Sequence, residues 1–318
     1  MGICQLSEKV LITGGAGFIG SNLADWLINQ GKTVAIFDNF STGKNEFVSK
    51  GIQTFRGSLT SDPEILEKAL SEVSTVYHLA ANADVRDGWL HPRLDLQQNV
   101  EATCNILEAS VRAGVSEFVF SSTGSVYGES ETLPTPEDAP FPVQTSLYGA
   151  SKASAEAFVQ ADATAGKLKA TVFRFVSVLG ARYTHGHVID FVRQLEKNPN
   201  QLIVLGDGTQ KKSYMRVDDC VRAVASLRGQ GNFTTFNLGV NDYCSVKQSI
   251  GWITDELGIQ PEVIYGQGNK GWVGDNPFIW LDVSKADLHG WKATSSIEDS
   301  VRATVRWLKQ NPEILSDK

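Results

Sequence analysis

The sequence predicts an α/β protein in which a doubly wound parallel sheet is joined to a smaller, mixed α/β lobe. Three observations lead there. Short apolar runs alternate with longer amphipathic segments from Lys9 to Phe175. A glycine-rich turn separates the first run from the first amphipathic segment. After Phe175 the alternation breaks into short pieces punctuated by glycine and proline. Strands separated by helices pair in parallel, because each helix returns the chain across one face of the sheet.

Lys9–Thr13 reads as a buried strand and residues 18–30 as a helix closed by Gly31, a residue that accepts the left-handed C-terminal conformation. Thr33–Asp38 and residues 51–56 read as the second and third strands. Residues 61–71 read as a helix opened by Asp62-Pro63, where the fixed φ of proline suits the first turn. Residues 75–80 are the expected fourth strand, 94–113 a long helix closed by Gly114, and 116–122 the fifth strand. Residues 146–165 form a second long helix and 168–175 a sixth strand. The loop at 128–142 carries four prolines and reads as a surface excursion beside a site. Segments 217–227 and 233–238 are expected to return to the main sheet. No internal repeat or low-complexity segment interrupts this pattern.

Thr13-Gly14-Gly15-Ala16-Gly17-Phe18-Ile19-Gly20 follows the first strand and opens the first helix. Glycines 14, 17 and 20 let the chain turn tightly and approach a pyrophosphate, and the helix N-terminus offers N–H groups and a positive dipole end. Gly20 permits close packing of helix on strand. A glycine-rich turn alone is also an ordinary tight turn. Here Asp38 closes the second strand, where a carboxylate accepts hydrogen bonds from adenosine ribose hydroxyls and repels a 2′-phosphate. That context predicts a Rossmann-type site for NAD rather than NADP. The expected division is residues 1–175, with 217–240 returning, as a dinucleotide-binding domain, and 176–216 with 241–318 as a substrate-binding lobe.

Tyr148 and Lys152 open the second long helix one turn apart, on one face. A free tyrosine, with a pKa near ~10, is a poor base at neutral pH. A nearby ammonium and a nicotinamide cation stabilise the phenolate, so Tyr148 becomes able to take a proton from a sugar hydroxyl as hydride leaves the same carbon. Lys152 is also in position to bind the nicotinamide ribose. Thr123, in Ser121-Ser122-Thr123 at the carboxyl end of the fifth strand, is placed to orient the reacting oxygen. A Tyr/Lys couple also occurs as plain helix packing, and the serines as turn caps.

Composition excludes several classes. Thirty-six acidic against 29 basic residues give a net charge of −7, unlike a general nucleic-acid binder. Cys4, Cys104, Cys220 and Cys244 form no C-x-x-C pair and no Cys/His cluster, so no metal is expected and the thiols read as reduced, in a cytoplasmic protein. No signal peptide is evident, Leu6 spoils a myristoylation start, and no apolar stretch approaches the ~20 residues that span a bilayer. No membrane partner is expected.

The glycine turn, Asp38-Asn39-Phe40-Ser41-Thr42-Gly43, His78-Leu79-Ala80-Ala81, Asn99, Ser121 to Gly128 and Tyr148-x-x-x-Lys152 occur in that order. Gly180-Ala181-Arg182, Gly206-Asp207-Gly208-Thr209-Gln210, Val217-Asp218-Asp219 and Trp280 to Ala286 follow. Together they resemble the extended short-chain dehydrogenase/reductase family, and within it nucleotide-sugar epimerases of the UDP-glucose 4-epimerase type, over nearly the whole chain. The resemblance implies cofactor contacts at Phe18, Ile19, Asp38, Asn39, Ser41, Gly43, Leu79, Ala80, Ala81, Ala83, Asn99 and Ser121. Ser58 and Leu59 fall near the adenine, where the family often has an aspartate before the apolar residue.

It further implies Tyr148 as catalytic base with Lys152 its partner and Thr123 the substrate-facing hydroxyl. Oxidation of C4 then gives a 4-keto sugar that turns over and is reduced on its other face, in carbohydrate metabolism and polysaccharide biosynthesis. Arg86, Ser177, His187 and Lys212 fall at substrate-facing positions, Lys212 in place of an arginine toward the diphosphate, and Ile279 at a gate position. Arg86 is suited to a uronic-acid carboxylate; a loop arginine is also commonly just solvated. An arginine expected shortly before Gly274-Asp275 is missing, with Lys270 nearby. Related 4,6-dehydratases carry Asp-Glu after the threonine, and sugar-acid decarboxylases generally keep an acid there; this chain has Gly124-Ser125. Epimerisation is therefore expected over those alternatives and over a non-catalytic NAD-binding protein. The two long helices carry Ile106, Leu107, Val111, Ala153, Ala157 and Phe158 at helical spacing; the resemblance implies that such helices pair across a two-fold axis in a homodimer, while the same spacing also suits burial within one chain.

Overall fold

The computed structural model describes residues 8–85, 87–140, 143–272 and 274–316, with the side chain of Asp87 left aside. Arg86 and Cys4 lie outside the described residues.

Seven strands form the central sheet: β1 (Lys9–Thr13), β2 (Thr33–Asp38), β3 (Gln53–Arg56), β4 (Thr75–His78), β5 (Glu117–Thr123), β6 (Lys169–Phe175) and β7 (Phe233–Leu238). Their spatial order is β7-β6-β5-β4-β1-β2-β3, and every neighbouring pair is parallel. The winding reverses between β1 and β4, so their carboxyl ends diverge into a crevice, the usual ligand position in such sheets. Val10, Leu11 and Ile12 are fully buried. A central strand covered on both faces needs this uninterrupted apolar run.

Alternate residues of each strand go to opposite faces. Leu11, Ala35, Phe37, Phe118 and Phe120 face α2 (Pro63–Ala69), α3 (Ala102–Arg112) and α4 (Leu147–Thr164), meeting Leu66, Ile106, Leu107, Ala155 and Val159. Val10, Ile12, Ile36, Val119 and Phe173 share the other core with Leu23 and Leu27 of α1 (Phe18–Asn29) and Val221 and Val224 of α5 (Val217–Ser226). Ile106 and Leu107 are therefore spent inside the chain, contrary to their expected place on a dimer face. Helical spacing alone cannot distinguish those two kinds of burial.

The segment at 94–113 departs from the single α-helix expected. A turn at Pro92–Asp95 runs into a π-helix at Leu96–Glu101 before α3. The Thr103 hydroxyl donates to the Asn99 carbonyl at 2.6 Å, and the Asn99 side chain is drawn toward the backbone of Asn82. These side-chain bonds accompany the widened turn.

Beyond β6 the chain makes short strand pairs: Ser177–Leu179 with Tyr214–Arg216, Gln201–Val204 with Glu262–Tyr265, and Lys211–Lys212 between Cys244–Ser245 and Phe278–Ile279. Asp219 ties this region to α5. Its carboxylate accepts from the backbone N–H of Thr294 and Ser295 and from Arg222. At the opposite end of the sheet, Arg228 is clamped between Glu8 and Glu117. Among the described residues no helix is long and apolar enough to cross a membrane, and no group of His, Cys, Asp and Glu side chains has the makings of a metal site.

Candidate active site

The glycine turn is pressed against the end of β4. Gly14 has φ +68°, and a Cβ there would lie 2.7 Å from the Ala80 nitrogen. A Cβ on Gly20 would run into the Gly14 carbonyl. Neither position accepts a side chain. Gly17 caps α1 in extended backbone, and no side chain bonds to the exposed N–H groups of that end. Phe18 turns its ring into the core, edge-on to Tyr183 at 5.6 Å, so the backbone is what it leaves for a ligand. Ile19 is half-buried beside it.

Asp38 is buried, and each carboxylate oxygen accepts one N–H: Oδ2 from Ala16 at 2.9 Å and Oδ1 from Phe40 at 2.8 Å. Each keeps a second lone-pair direction for a ribose hydroxyl. A Cβ on Gly43 would come 2.9 Å from Asp38 Oδ1, so only glycine leaves that carboxylate room. Asn39 Oδ1 accepts from Ser41 N–H at 2.9 Å and shapes the exposed turn around it. Ser58 and Leu59 are held by Asp62 and by Asn105, whose amide donates to the Leu59 carbonyl at 2.9 Å. An uncapped helix end, a cradle that side chains would fill and a buried acid at the strand end fit a dinucleotide.

The residues after β4 are fixed by a buried chain of hydrogen bonds. Since the Thr103 hydroxyl donates to Asn99, it must accept from His78 Nε2–H, 2.9 Å away. His78 Nδ1 is then the acceptor, bonded at 2.7 Å by the Thr13 hydroxyl, which takes the Ala80 N–H at 3.3 Å. Burial, and then the Lys152 charge, push His78 down to about 3, so the ring is neutral. Leu79, Ala80 and Ala81 are half-buried and Ala83 is exposed. Asn99 Oδ1 accepts from Asn82 N–H at 2.9 Å, and its amide lies 3.0 Å from Ser151 Oγ and 3.3 Å from Asp95 Oδ1. Its side chain is thus committed to the protein on both ends. Ser121 Oγ donates to the His78 carbonyl at 3.1 Å.

Thr123 ends β5, and Tyr148 and Lys152 sit in the first turns of α4, which Ser146 caps by accepting the Gly149 N–H at 3.0 Å. The Thr123 hydroxyl accepts from Ser125 N–H at 3.1 Å and donates to Ser125 Oγ at 3.2 Å, and it stands close enough to the Tyr148 phenol to favour its ionised form. Burial raises the phenol to about 12, with the Asp95 charge adding to the rise and Thr123 opposing it. Lys152 is 2% exposed and burial lowers it to about 7, against the pull of Glu156. Each group resists its charged form in the protein alone. A positive ring beside the phenol is what would tip it toward phenolate.

On the other side of Thr123 the surroundings are apolar. A Cβ on Gly124 would lie 3.3 Å from Ile279 Cγ2 and 3.4 Å from Leu281 Cδ1. Further out, Lys212 Nζ pairs with Asp275 Oδ1 at 2.8 Å, 5.1 Å from the centroid of the Trp272 ring. His187 Nε2 lies 2.8 Å from Ser249 Oγ, and burial lowers it to about 3. Ser177 is exposed at the start of its strand. Lys270 is paired with Glu129 at 2.6 Å. A separate cavity lies away from these residues. It measures about 270 Å³, between α4 and β7, and is lined by Glu137, Glu156, Arg174 and Phe233 among others, but not by Tyr148, Lys152 or Thr123.

Sequence reasoning missed the supporting residues. His78 appeared only within a motif. Asp95 and Ser151 were not singled out, although Asp95 stands four residues before Asn99, a spacing that shares a helical face.

Comparison with known proteins finds relatives that cover nearly the whole chain. A putative UDP-glucose 4-epimerase of Methanocaldococcus jannaschii is 31% identical over 309 residues, covering 95% of this chain and 99% of that protein. The structure of Thermotoga maritima UDP-glucose 4-epimerase with UDP-glucose is 33% identical, with a TM-score of 0.87, covering 96% of this chain and 99% of that one. That of Bacillus cereus UDP-glucuronic acid 4-epimerase with UDP-glucuronic acid and NAD is 28% identical, with a TM-score of 0.85 over 95% and 99%. The NAD-dependent epimerase/dehydratase family model matches residues 10–239. With the winding order, the glycine turn and the Thr123–Tyr148–Lys152 grouping already in hand, that match assigns this chain to the NAD-dependent epimerase/dehydratase family.

Proposed function

We propose that this chain is an NAD-dependent isomerase that inverts C4 of a nucleotide-diphosphate sugar through transient oxidation to the 4-keto sugar. The observation that carries the reading is the meeting of Thr123, Tyr148 and Lys152 at the carboxyl edge of the sheet, beside a glycine turn and Asp38 suited to NAD. When bound, NAD supplies the hydride acceptor for C4 and the donor for the opposite face of the ketone. Tyr148 takes the C4 hydroxyl proton at its phenol oxygen and later returns it. Thr123 aligns the reacting oxygen with that phenol. The Lys152 ammonium stabilises the phenolate through its positive charge.

Gly124 supports epimerisation over dehydration. A carboxylate at that position would be driven against Ile279 and Leu281, where a charge is costly. With Ser125 next in the chain, elimination of water lacks an acid and base at these two positions. The same absence disfavours sugar-acid decarboxylation, though less strongly.

The sugar nucleotide is proposed to be UDP-linked, a hexose, N-acetylhexosamine or hexuronate. Ser177, His187, Lys212 and Arg86 are proposed to face it, with residues 176–216 and 241–318 as the substrate lobe. Residues 1–175 and 217–240 are proposed to hold NAD, with Gly14, Gly17, Phe18, Ile19, Gly20, Asp38, Asn39, Ser41, Gly43, Ser58, Leu59, Leu79, Ala80, Ala81, Ala83, Asn99 and Ser121 about it. A homodimer is proposed through exposed apolar residues on and just before the two long helices, Trp89, Leu90, Leu94, Leu96 and Phe158. The proposed setting is the cytoplasm, without nucleic-acid or membrane partners, in the supply of sugar precursors for polysaccharides.

Incubation of the purified protein with UDP-hexoses, UDP-N-acetylhexosamines and UDP-hexuronates, followed by NMR of the products, tests this. The C4 epimer is expected from at least one of them. A 4-keto-6-deoxy sugar or a UDP-pentose as the product overturns the reading.

A further inference from the structure

Asp95 is a buried titratable group that the mechanism above leaves unused. Its side chain is 1% exposed. Oδ1 accepts from Asn82 Nδ2 at 2.9 Å and from Asn99 Nδ2 at 3.3 Å. Among the described residues Oδ2 has no hydrogen-bond partner. The backbone of Gly88 closes over it, so that a Cβ there would lie 2.6 Å from that oxygen. An unsatisfied buried acceptor is expensive, by about 1–3 kcal/mol and more when charged, and native structures keep few of them.

The surroundings link this carboxyl to the tyrosine. Asn99 donates to Ser151 Oγ at 3.0 Å, and Ser151 Oγ donates to the Tyr148 carbonyl at 2.8 Å. Among the described residues the titratable groups acting on or beside it are Asp84, on the loop after β4, and Tyr148 on α4. Asn99 and Leu147 are themselves uncharged, and further along their helices stand Glu101, Lys152 and Glu156. Burial holds the carboxyl above its usual range, and Asp84 adds to the rise while the Asn82 bond opposes it.

We propose that Asp95 is a positioning residue for the reaction: its carboxyl anchors the tyrosine helix through Asn99 and Ser151, and its ionisation governs how readily the Tyr148 phenol gives up its proton. The inference rests on the reading of Tyr148 as the acid–base group. Two anions in one poorly solvated site oppose each other, so phenolate and carboxylate titrate as a pair.

The test is a pH titration of the Tyr148 phenolate by ultraviolet difference absorbance in NAD-loaded protein, with Tyr148→Phe as the blank. It needs no turnover. Asp95→Asn keeps the size and the Oδ1 acceptor and removes the charge. Both the phenolate titration and the acidic limb of kcat/KM are expected to move to lower pH, by about half a unit or more. Asp95→Ser, a smaller replacement that also removes the charge, is expected to move both in the same direction.

An unmoved phenolate titration in Asp95→Asn overturns the proposal, since a purely structural residue changes stability or KM alone. If Asp95→Asn does not fold, Asp95→Ser decides, and the absence of a downward displacement overturns it. Wild-type protein that shows the expected phenolate shifts but no epimerisation overturns the proposed function and leaves the role of Asp95 standing.

Discussion

The ammonium of Lys152 sits 4.2 Å from the centroid of the Phe120 ring, on the face of the sheet that packs α4. An aromatic face attracts a cation, but much less than water does, so burial still lowers this lysine to about 7.

Replacing Lys152 with Met should therefore separate stability from activity. With a folded pKa near 7 and an unfolded value of 10.5, the unfolded chain binds more protons between those limits. Stability from this group rises with pH across that window, and the full penalty is present below it. Lys152→Met is expected to raise the melting temperature of cofactor-free protein at pH 6, by a stabilisation on the order of 1–4 kcal/mol. Turnover should fall by about 10²-fold or more. Calorimetry beside an activity assay checks both.

Tyr148→Phe keeps the ring and removes the proton carrier. Turnover is expected to fall by about 10²–10⁴-fold while NAD is retained. In the wild type, kcat/KM should rise from acid pH as the phenol, held up near 12 in the protein alone, is brought into range by bound cationic cofactor. Retention of turnover in Tyr148→Phe would remove tyrosine from the mechanism. Nucleotide released from denatured protein measures the cofactor.

His78 predicts an acid sensitivity. Its folded value is about 3 against 6.5 unfolded, so the unfolded chain takes up the proton first as pH falls. Stability is expected to decline between pH 6.5 and 3, and His187, also lowered to about 3, adds to the slope. His78→Gln should flatten part of this slope and cost about 1–3 kcal/mol at neutral pH through the broken Thr13–His78–Thr103 chain. Urea unfolding as a function of pH reads out both effects.

Gly124→Asp installs the first of the acids found in related dehydratases. The new side chain meets Ile279 and Leu281, so a loss of about 2–5 kcal/mol is expected, with no 4-keto-6-deoxy product. A folded variant that dehydrates its substrate would mean that this apolar seat does not determine the outcome.

Much of the scaffold was legible in the sequence because it depends on local pattern. Val10-Leu11-Ile12 has to be a buried strand, and Gly14 lies where only glycine can turn beneath Ala80. The residue types at 123, 148 and 152 were legible for the same reason, being set by short spacings. What escaped depends on distant partners. Nothing near Lys212 in the chain announces its bond to Asp275, 63 residues away. The neutral state of His78 follows from hydroxyls on β1 and α3 that only the fold brings together. The π-helix at Leu96–Glu101 breaks the 3.6-residue period on which helix reading relies.

That π-helix also sets how this stretch tolerates insertion and deletion. Each residue advances a helix by about 100°, so deleting one between Asn99 and α3 would swing everything upstream by more than a quarter turn relative to the core. Asn99 would lose Asn82, and Asp95 would point elsewhere. The exposed tip at 129–133 has no such constraint, whereas Thr135 and Glu137 beyond it are tied to Trp280, Asp282, Asn237 and Arg174, so length variation among kindred sequences should collect at that tip and avoid residues 96–101.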